Sequence, residues 1–193
     1  MTDTAARLAG EHPPETVARL AGDRAPDTAA MVRVDHAGEY GAARIYAGQL
    51  AVMGTRHPFA GEISRMAIQE ERHLKTFDRL LVERRVRPTL LMPLWHVAGF
   101  ALGAASALAG PRAAMAVTAA VETEIDRHYQ AQRDALAGED PELEGLVAEF
   151  QADELEHRET AVAHGAEEAP AYPLVSAIVR AGCRAAIRIS EKI

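Results

Sequence analysis

Apolar residues recur at three- and four-residue steps along most of this chain, the period of a helix that buries one face. From residue 28 to about residue 54 the stripe runs through Val32, Ala43, Tyr46, Leu50 and Met53, with Asp27 or Thr28 placed to cap its start. A second helix is predicted from the loop around His57 and Pro58 to about Val86, burying Ile63, Met66, Phe77 and Leu81. It ends in a basic cluster, Arg84, Arg85 and Arg87, before Pro88. A third helix, from about Arg112 to Ala137, carries Met115, Ala119, Ile125 and Tyr129 on one stripe. A fourth follows the turn at residues 138–141 and places Leu143, Leu146, Phe150 and Ala161 inward.

Carboxylates interrupt every one of these stripes. Glu39 lies on the first, Glu70 and His73 share the face of the second, Glu122 breaks the third, and Glu154 and His157 sit on the fourth. An ionised carboxylate on a buried face is costly unless something compensates it. Glu124 rivals Glu122 from a neighbouring face, and periodicity separates the two only weakly.

Two further segments depart from simple amphipathicity. Residues 89–111 form a run of 23 without Asp, Glu, Lys or Arg, long enough to suggest a membrane span. The run also contains Pro93, His96 and many small residues, with Gly99, Gly103 and Ala107 as a ridge for close helix contact, so a buried or membrane-surface hairpin is the preferred reading. Beyond Pro170 and Pro173 a last helix sets Arg180, Arg184, Arg188 and Lys192 at steps of four, opposite Val175, Ile178, Val179, Ala186 and Ile189. That pattern predicts either a solvated basic face or one that docks on a membrane or an acidic partner.

Composition narrows the fold. A chain of 193 residues with 48% apolar content can build one sizeable core, and 5% aromatics with abundant alanine favour an all-α protein. Residues 1–27 hold a short duplication, RLAGEHPPET from Arg7 and RLAGDRAPDT from Arg19, and are expected to form a loosely ordered arm outside a domain over 28–193. A formal charge of −7 argues against a general nucleic-acid binder. The single cysteine, Cys183, cannot form an intramolecular disulfide and reads as a small core residue of a protein kept in a reducing compartment. No basic region with an apolar run follows Met1, so no secretory signal is expected.

The chemistry lies in the spacing. With 19 Glu and 8 His in the chain, roughly one Glu-x-x-His match arises by chance, so neither pair alone means much. Together they repeat: Glu39 precedes Glu70 and His73 by 31 residues, and Glu122 precedes Glu154 and His157 by 32. Each half is a helix pair supplying one lone Glu and one Glu-x-x-His, the ligand set of a two-metal carboxylate bundle. Four carboxylates in one core need about four positive charges, and oxygen and imidazole without thiolate suit iron or manganese. In this geometry Glu70 and Glu154 are expected to bridge two ions, with Glu39 and His73 on one and Glu122 and His157 on the other. Asp153 is placed to reach His73 as a supporting residue, and Gln69 holds the matching position in the first half.

The chain resembles the di-iron 5-demethoxyubiquinone hydroxylases of ubiquinone biosynthesis. The stretch RVDHAGEYGA from Arg33, followed by RIYAGQ from Arg44, is similar to that family's first ligand helix; Gln69 to Leu74, MPLW from Met92 and Asp153 to His157 add further blocks. The resemblance covers residues from about 30 to the end and carries over the same six ligands, favouring Glu122 over Glu124. It implies a ferritin-like bundle holding two Fe ions per chain, acting as a monooxygenase on the ring of a polyprenylated demethoxyubiquinol with O2. It also implies electrons from NADH or the quinol itself, and a peripheral position on the membrane surface, at the cytoplasmic face of a bacterial inner membrane. A homo-oligomer or an accessory protein of quinone biosynthesis is a further partner it allows. The rival expectations are a ferritin-like iron-oxidising or storage protein and a membrane-associated helical scaffold without catalysis.

Overall fold

The structure is a computed structural model describing residues 25–193, so all but the last three residues of the N-terminal arm lie outside it. Among the described residues there are six α-helices and no strand. They are α1 (Thr28–Met53), α2 (Ala60–Glu83), α3 (Met92–Leu108), α4 (Pro111–Leu136), α5 (Pro141–Ala163) and α6 (Tyr172–Ser190), with a short 3₁₀ turn at Ala166–Glu168. The pairs α1/α2 and α4/α5 make a ferritin-like four-helix bundle, while α3 packs along α1 and α6 along α4.

Local chemistry sets the boundaries. Asp27 caps α1 by accepting from the Ala30 amide at 2.9 Å, and Asp140 caps α5 by accepting from Leu143 at 3.1 Å. The reversal between α4 and α5 uses left-handed backbone at Ala137 and at Gly138 (φ 85°), where glycine carries no steric cost. Two apolar clusters fill the ends of the bundle. Val32, Phe77, Leu80, Tyr129, Leu136 and Phe150 close one end, and Tyr46, Ile63, Met66, Met115 and Ala161 close the other.

The uncharged stretch holds one helix of 17 residues, packed along α1, rather than a span. Pro93 in its first turn and Gly110 before Pro111 bound it, and among the described residues no helix is long and apolar enough to cross a membrane. Its small-residue ridge does set helix contact: a Cβ at Gly103 would overlap the Ile45 carbonyl oxygen, and one at Gly48 would overlap that of Phe100. Backbones therefore touch, and α3 is fixed to α1 over its length.

The basic stripe of the last helix divides: Arg188 and Lys192 are exposed, while Arg180 and Arg184 turn to an acid of the same chain. Arg180 Nε and Arg184 donate to Glu124 Oε1 at 2.6 and 2.8 Å, while Leu174 and Ile178 are exposed. The cause lies on another helix: Glu124 is buried on α4 and requires cations beside it. The same pairing occupies the carboxylate that rivalled Glu122.

Candidate metal centre

Four helices each point acids into the space between the two apolar clusters. Glu39 comes from α1, Glu70 and His73 from α2, Glu122 from α4, and Glu154 and His157 from α5; none is more than 1% exposed. They form two overlapping groups, Glu39, Glu70, His73, Glu154 and Glu70, Glu122, Glu154, His157, with one ligand atom from each member within 4.8 Å of the others. Glu70 and Glu154 belong to both.

Both imidazoles turn Nδ1 into this space. His73 Nδ1 lies 3.1 Å from Glu39 Oε2 and 3.2 Å from Glu154 Oε1; His157 Nδ1 lies 3.1 Å from Glu70 Oε1 and from Glu154 Oε2. Their outer nitrogens are held from behind. His73 Nε2 meets Asp153 Oδ2 at 2.9 Å, and Arg72 donates to the same carboxylate. His157 Nε2 meets Gln69 Oε1 at 3.1 Å, where Arg65 also donates. Such outer partners orient an imidazole for binding through its other nitrogen.

Sequence reasoning missed two phenols. Tyr129 donates to Glu39 Oε1, and Tyr46 donates to Glu122 Oε1 at 2.7 Å. Each tyrosine lies seven residues after the Glu of its own half and binds the Glu of the other half. The shared Glu-x6-Tyr spacing was a readable signal, because i and i+7 fall on one helix face. Burial, with neighbouring carboxylates, pushes both phenols well above their ordinary range, so they stay donors. Arg72 was also missed; nothing in its spacing marks it.

Burying these acids together is electrostatically costly. Burial pushes Glu70 and Glu122 well above the ordinary carboxylate range, and the charge of Glu154 pushes the same way. Burial would raise Glu154 too, but the adjacent His157 and His73 outweigh it and hold Glu154 at about 2. Burial disfavours the His73 cation, yet Glu154 and Glu39 carry it up to about 10. Each Nδ1 carries at most one proton and can satisfy one oxygen. Glu70 Oε1 and Oε2, Glu122 Oε2 and Glu154 Oε1 consequently have no hydrogen-bond partner. Orphaned carboxylate oxygens facing two imidazole nitrogens are a donor set that fits metal binding.

A second interior lies beside the first. The helices α3 and α6 do not approach within 8 Å in Cα positions, and between them opens a slot of about 380 Å³. Its floor includes Ala42 of α1 and Val121 and Ile125 of α4, and its walls include Trp95 and Leu102 of α3 and Ile178 and Cys183 of α6. Val121 is next in sequence to Glu122, so the floor of the slot is also the wall of the acidic cluster. Burial, with Glu122 and Glu124 nearby, pushes the Cys183 thiol up to about 12.

Known proteins share this chain's pattern. Residues 26–190 match the family model of the ubiquinone biosynthesis protein COQ7. A 3-demethoxyubiquinol 3-hydroxylase of Rhodospirillum rubrum is 53% identical over 160 residues, covering 83% of this chain and 76% of the relative. The NADPH-dependent 3-demethoxyubiquinone 3-hydroxylase, mitochondrial, of Homo sapiens is 54% identical over 164 residues, covering 83% and 75%. The mitochondrial 5-demethoxyubiquinone hydroxylase of Saccharomyces cerevisiae is 41% identical over 176 residues, covering 83% and 76%. A match over nearly the whole described chain, joined to the buried Glu and His cluster, makes this chain a member of the ubiquinone biosynthesis protein COQ7 family.

Proposed function

We propose that this chain is a di-iron monooxygenase that hydroxylates the ring of a polyprenylated demethoxyubiquinol with O2, through a domain spanning residues 28–193. The observation that carries the reading is the pairing of a buried six-residue Glu and His cluster with an apolar slot whose floor residue Val121 adjoins Glu122 in the chain. The names of the relatives, all hydroxylases of a demethoxylated ubiquinone or ubiquinol, support the same substrate.

Two iron ions are the cofactor of this reading. Glu39, Glu70, His73, Glu122, Glu154 and His157 would hold them, with Glu70 and Glu154 common to both ligand groups. Bound there, iron supplies the activation of O2 and transfer of one oxygen atom to the ring. The protein's own part is positioning. Asp153 and Gln69 hold the outer nitrogens of His73 and His157, while Tyr129 and Tyr46 orient Glu39 and Glu122. The slot takes the apolar substrate and keeps water from the face where the ring reacts. Electrons come from a reduced nicotinamide, NADH in this reading, or from the quinol.

A polyprenyl chain stays in a bilayer, so the enzyme works at a membrane surface, at the cytoplasmic face of the bacterial inner membrane. Exposed Leu94 and Val97 of α3 and Leu174 and Ile178 of α6 flank the slot and suit a peripheral contact. An iron-storage role would leave this slot without a use.

Quinone analysis of cells lacking the protein tests the reading. Accumulation of demethoxyubiquinone is expected, and unchanged ubiquinone would sink it. In the purified protein, His157→Ala should lower iron below two ions per chain and abolish ring hydroxylation.

A further inference from the structure

Polar atoms are nearly absent from the slot between α3 and α6, which makes one of them informative. Ser190, the last residue of α6, belongs to the slot wall, is 2% exposed, and its Oγ has no hydrogen-bond partner. A serine in a helix can turn its hydroxyl back to a carbonyl one turn earlier, and this one does not. A buried hydroxyl left unpaired in an apolar wall destabilises the folded chain unless a ligand completes it.

This end of the slot is also held in place. Arg33 of α1 donates from Nε to the Arg87 carbonyl and from a terminal nitrogen to the Glu191 carbonyl, each at 3.1 Å. One guanidinium thus ties the turn before α3 to the residue after Ser190, across a gap where α3 and α6 do not meet. On the slot floor, Val34 near this end and Ala42 in the partition stand about 12 Å apart at ~1.5 Å rise per residue. That length accommodates one substituted aromatic ring hydrogen-bonded at one edge.

We propose that Ser190 Oγ hydrogen-bonds a ring oxygen of the substrate, and thereby determines which ring edge faces Ala42, Val121 and Ile125 and the carboxylates behind them. The proposal rests on the hydroxylase reading and deepens it. A hydroxyl serves both kinds of ring oxygen, accepting from a phenolic O–H and donating to a methoxy or carbonyl oxygen. Ser190 is here a positioning residue: it selects the carbon that reacts without taking part in the oxygen transfer. The isoprenoid chain leaves through the open side between α3 and α6.

Trp95, the one tryptophan of the chain, lies in the slot wall and reports occupancy with or without iron. The experiment titrates a short-tailed demethoxyubiquinone against Trp95 emission, then displaces it with an isoprenoid hydrocarbon of equal tail length lacking ring oxygens. Ser190→Ala should weaken quinone binding about tenfold, the loss of one hydrogen bond, and leave the hydrocarbon's affinity unchanged. Ser190→Thr, which keeps the hydroxyl, should restore quinone affinity. In turnover with the iron-loaded enzyme, Ser190→Ala should raise KM and divert hydroxylation from the wild-type ring position. An unchanged ratio of quinone to hydrocarbon affinity in Ser190→Ala, with normal thermal unfolding, overturns the proposal. Failure of the wild-type protein to hydroxylate demethoxyubiquinol would instead overturn the functional reading itself, so the two failures are told apart.

Discussion

Two interiors lie back to back in this molecule and obey opposite rules. The bundle centre holds four carboxylates and two imidazoles at 0–1% exposure, with oxygens that no hydrogen-bond donor reaches. The slot between α3 and α6 is lined mostly by small and apolar side chains, and the Ser190 hydroxyl in its wall has no hydrogen-bond partner. Burial is unfavourable for the first set of groups and favourable for the second. The centre thus concentrates acids that a cation would stabilise, and the slot offers apolar surface to an apolar ligand. A shared wall of Ala42, Val121 and Ile125 keeps the two interiors adjacent and separate.

The sharpest break of this comparison is Glu70→Gln. Removing a charge common to both ligand groups should reduce iron to less than half the wild-type content and product formation by at least about 100-fold. The metal-free variant should unfold at a temperature equal to or above that of the metal-free wild type, since a strained acid has gone. Elemental analysis and calorimetry check both halves. A lower unfolding temperature with unchanged iron would mean that the acids brace helices instead.

Gly182→Leu should act on the other interior alone. A Cβ at Gly182 meets nothing within 4 Å, and the residue lines the slot, so a leucine there projects into its volume. A rise in KM of about tenfold with full iron content is expected from steady-state kinetics and metal analysis.

A smaller effect concerns Cys183. Its raised pKa keeps the thiol protonated at neutral pH, and thiolate forms only as pH approaches about 12. Alkylation by iodoacetamide at pH 8 should be much slower than for a free thiol, and should slow further when a short-tailed quinone fills the slot. Fast alkylation in the presence of quinone would place the ligand elsewhere.

The smallest test lies away from both interiors, at Asp140. Arg84 and the Leu143 amide hold its carboxyl below the usual range, where burial alone would raise it. A depressed pKa stabilises the fold above the unfolded value of 3.8, and that contribution is lost as pH falls below it. Asp140→Ala should cost about 1 kcal/mol at pH 7, and the difference from wild type should vanish in acid, as read by thermal unfolding.

Much of this was legible in the chain. The four bundle helices end within a few residues of where the stripes stop, and the six spaced Glu and His residues do converge. Period and spacing report what a helix does to its own residues. They say little about which face meets which neighbour. The stripe of Arg180 and Arg184 reads as either a solvated or a docking face until Glu124 on another helix is in view, and the phenols of Tyr46 and Tyr129 read as core until their hydroxyls are placed. The run over 89–111 had the length of a span, but Pro93 and the Gly110 break cut it to a 17-residue helix. The duplicated arm falls almost wholly outside the described residues.

The crossed tyrosines have a consequence for how the chain is put together. Tyr46 of the first helix pair grips Glu122 of the second, and Tyr129 of the second grips Glu39 of the first. Reciprocal contacts of this kind are the signature of an isologous interface, in which residue i touches j and j touches i. Here that interface runs inside one polypeptide, as a seam between two hairpins. Neither hairpin can finish its own acid, so a lesion in one tyrosine is registered on the far side of the seam.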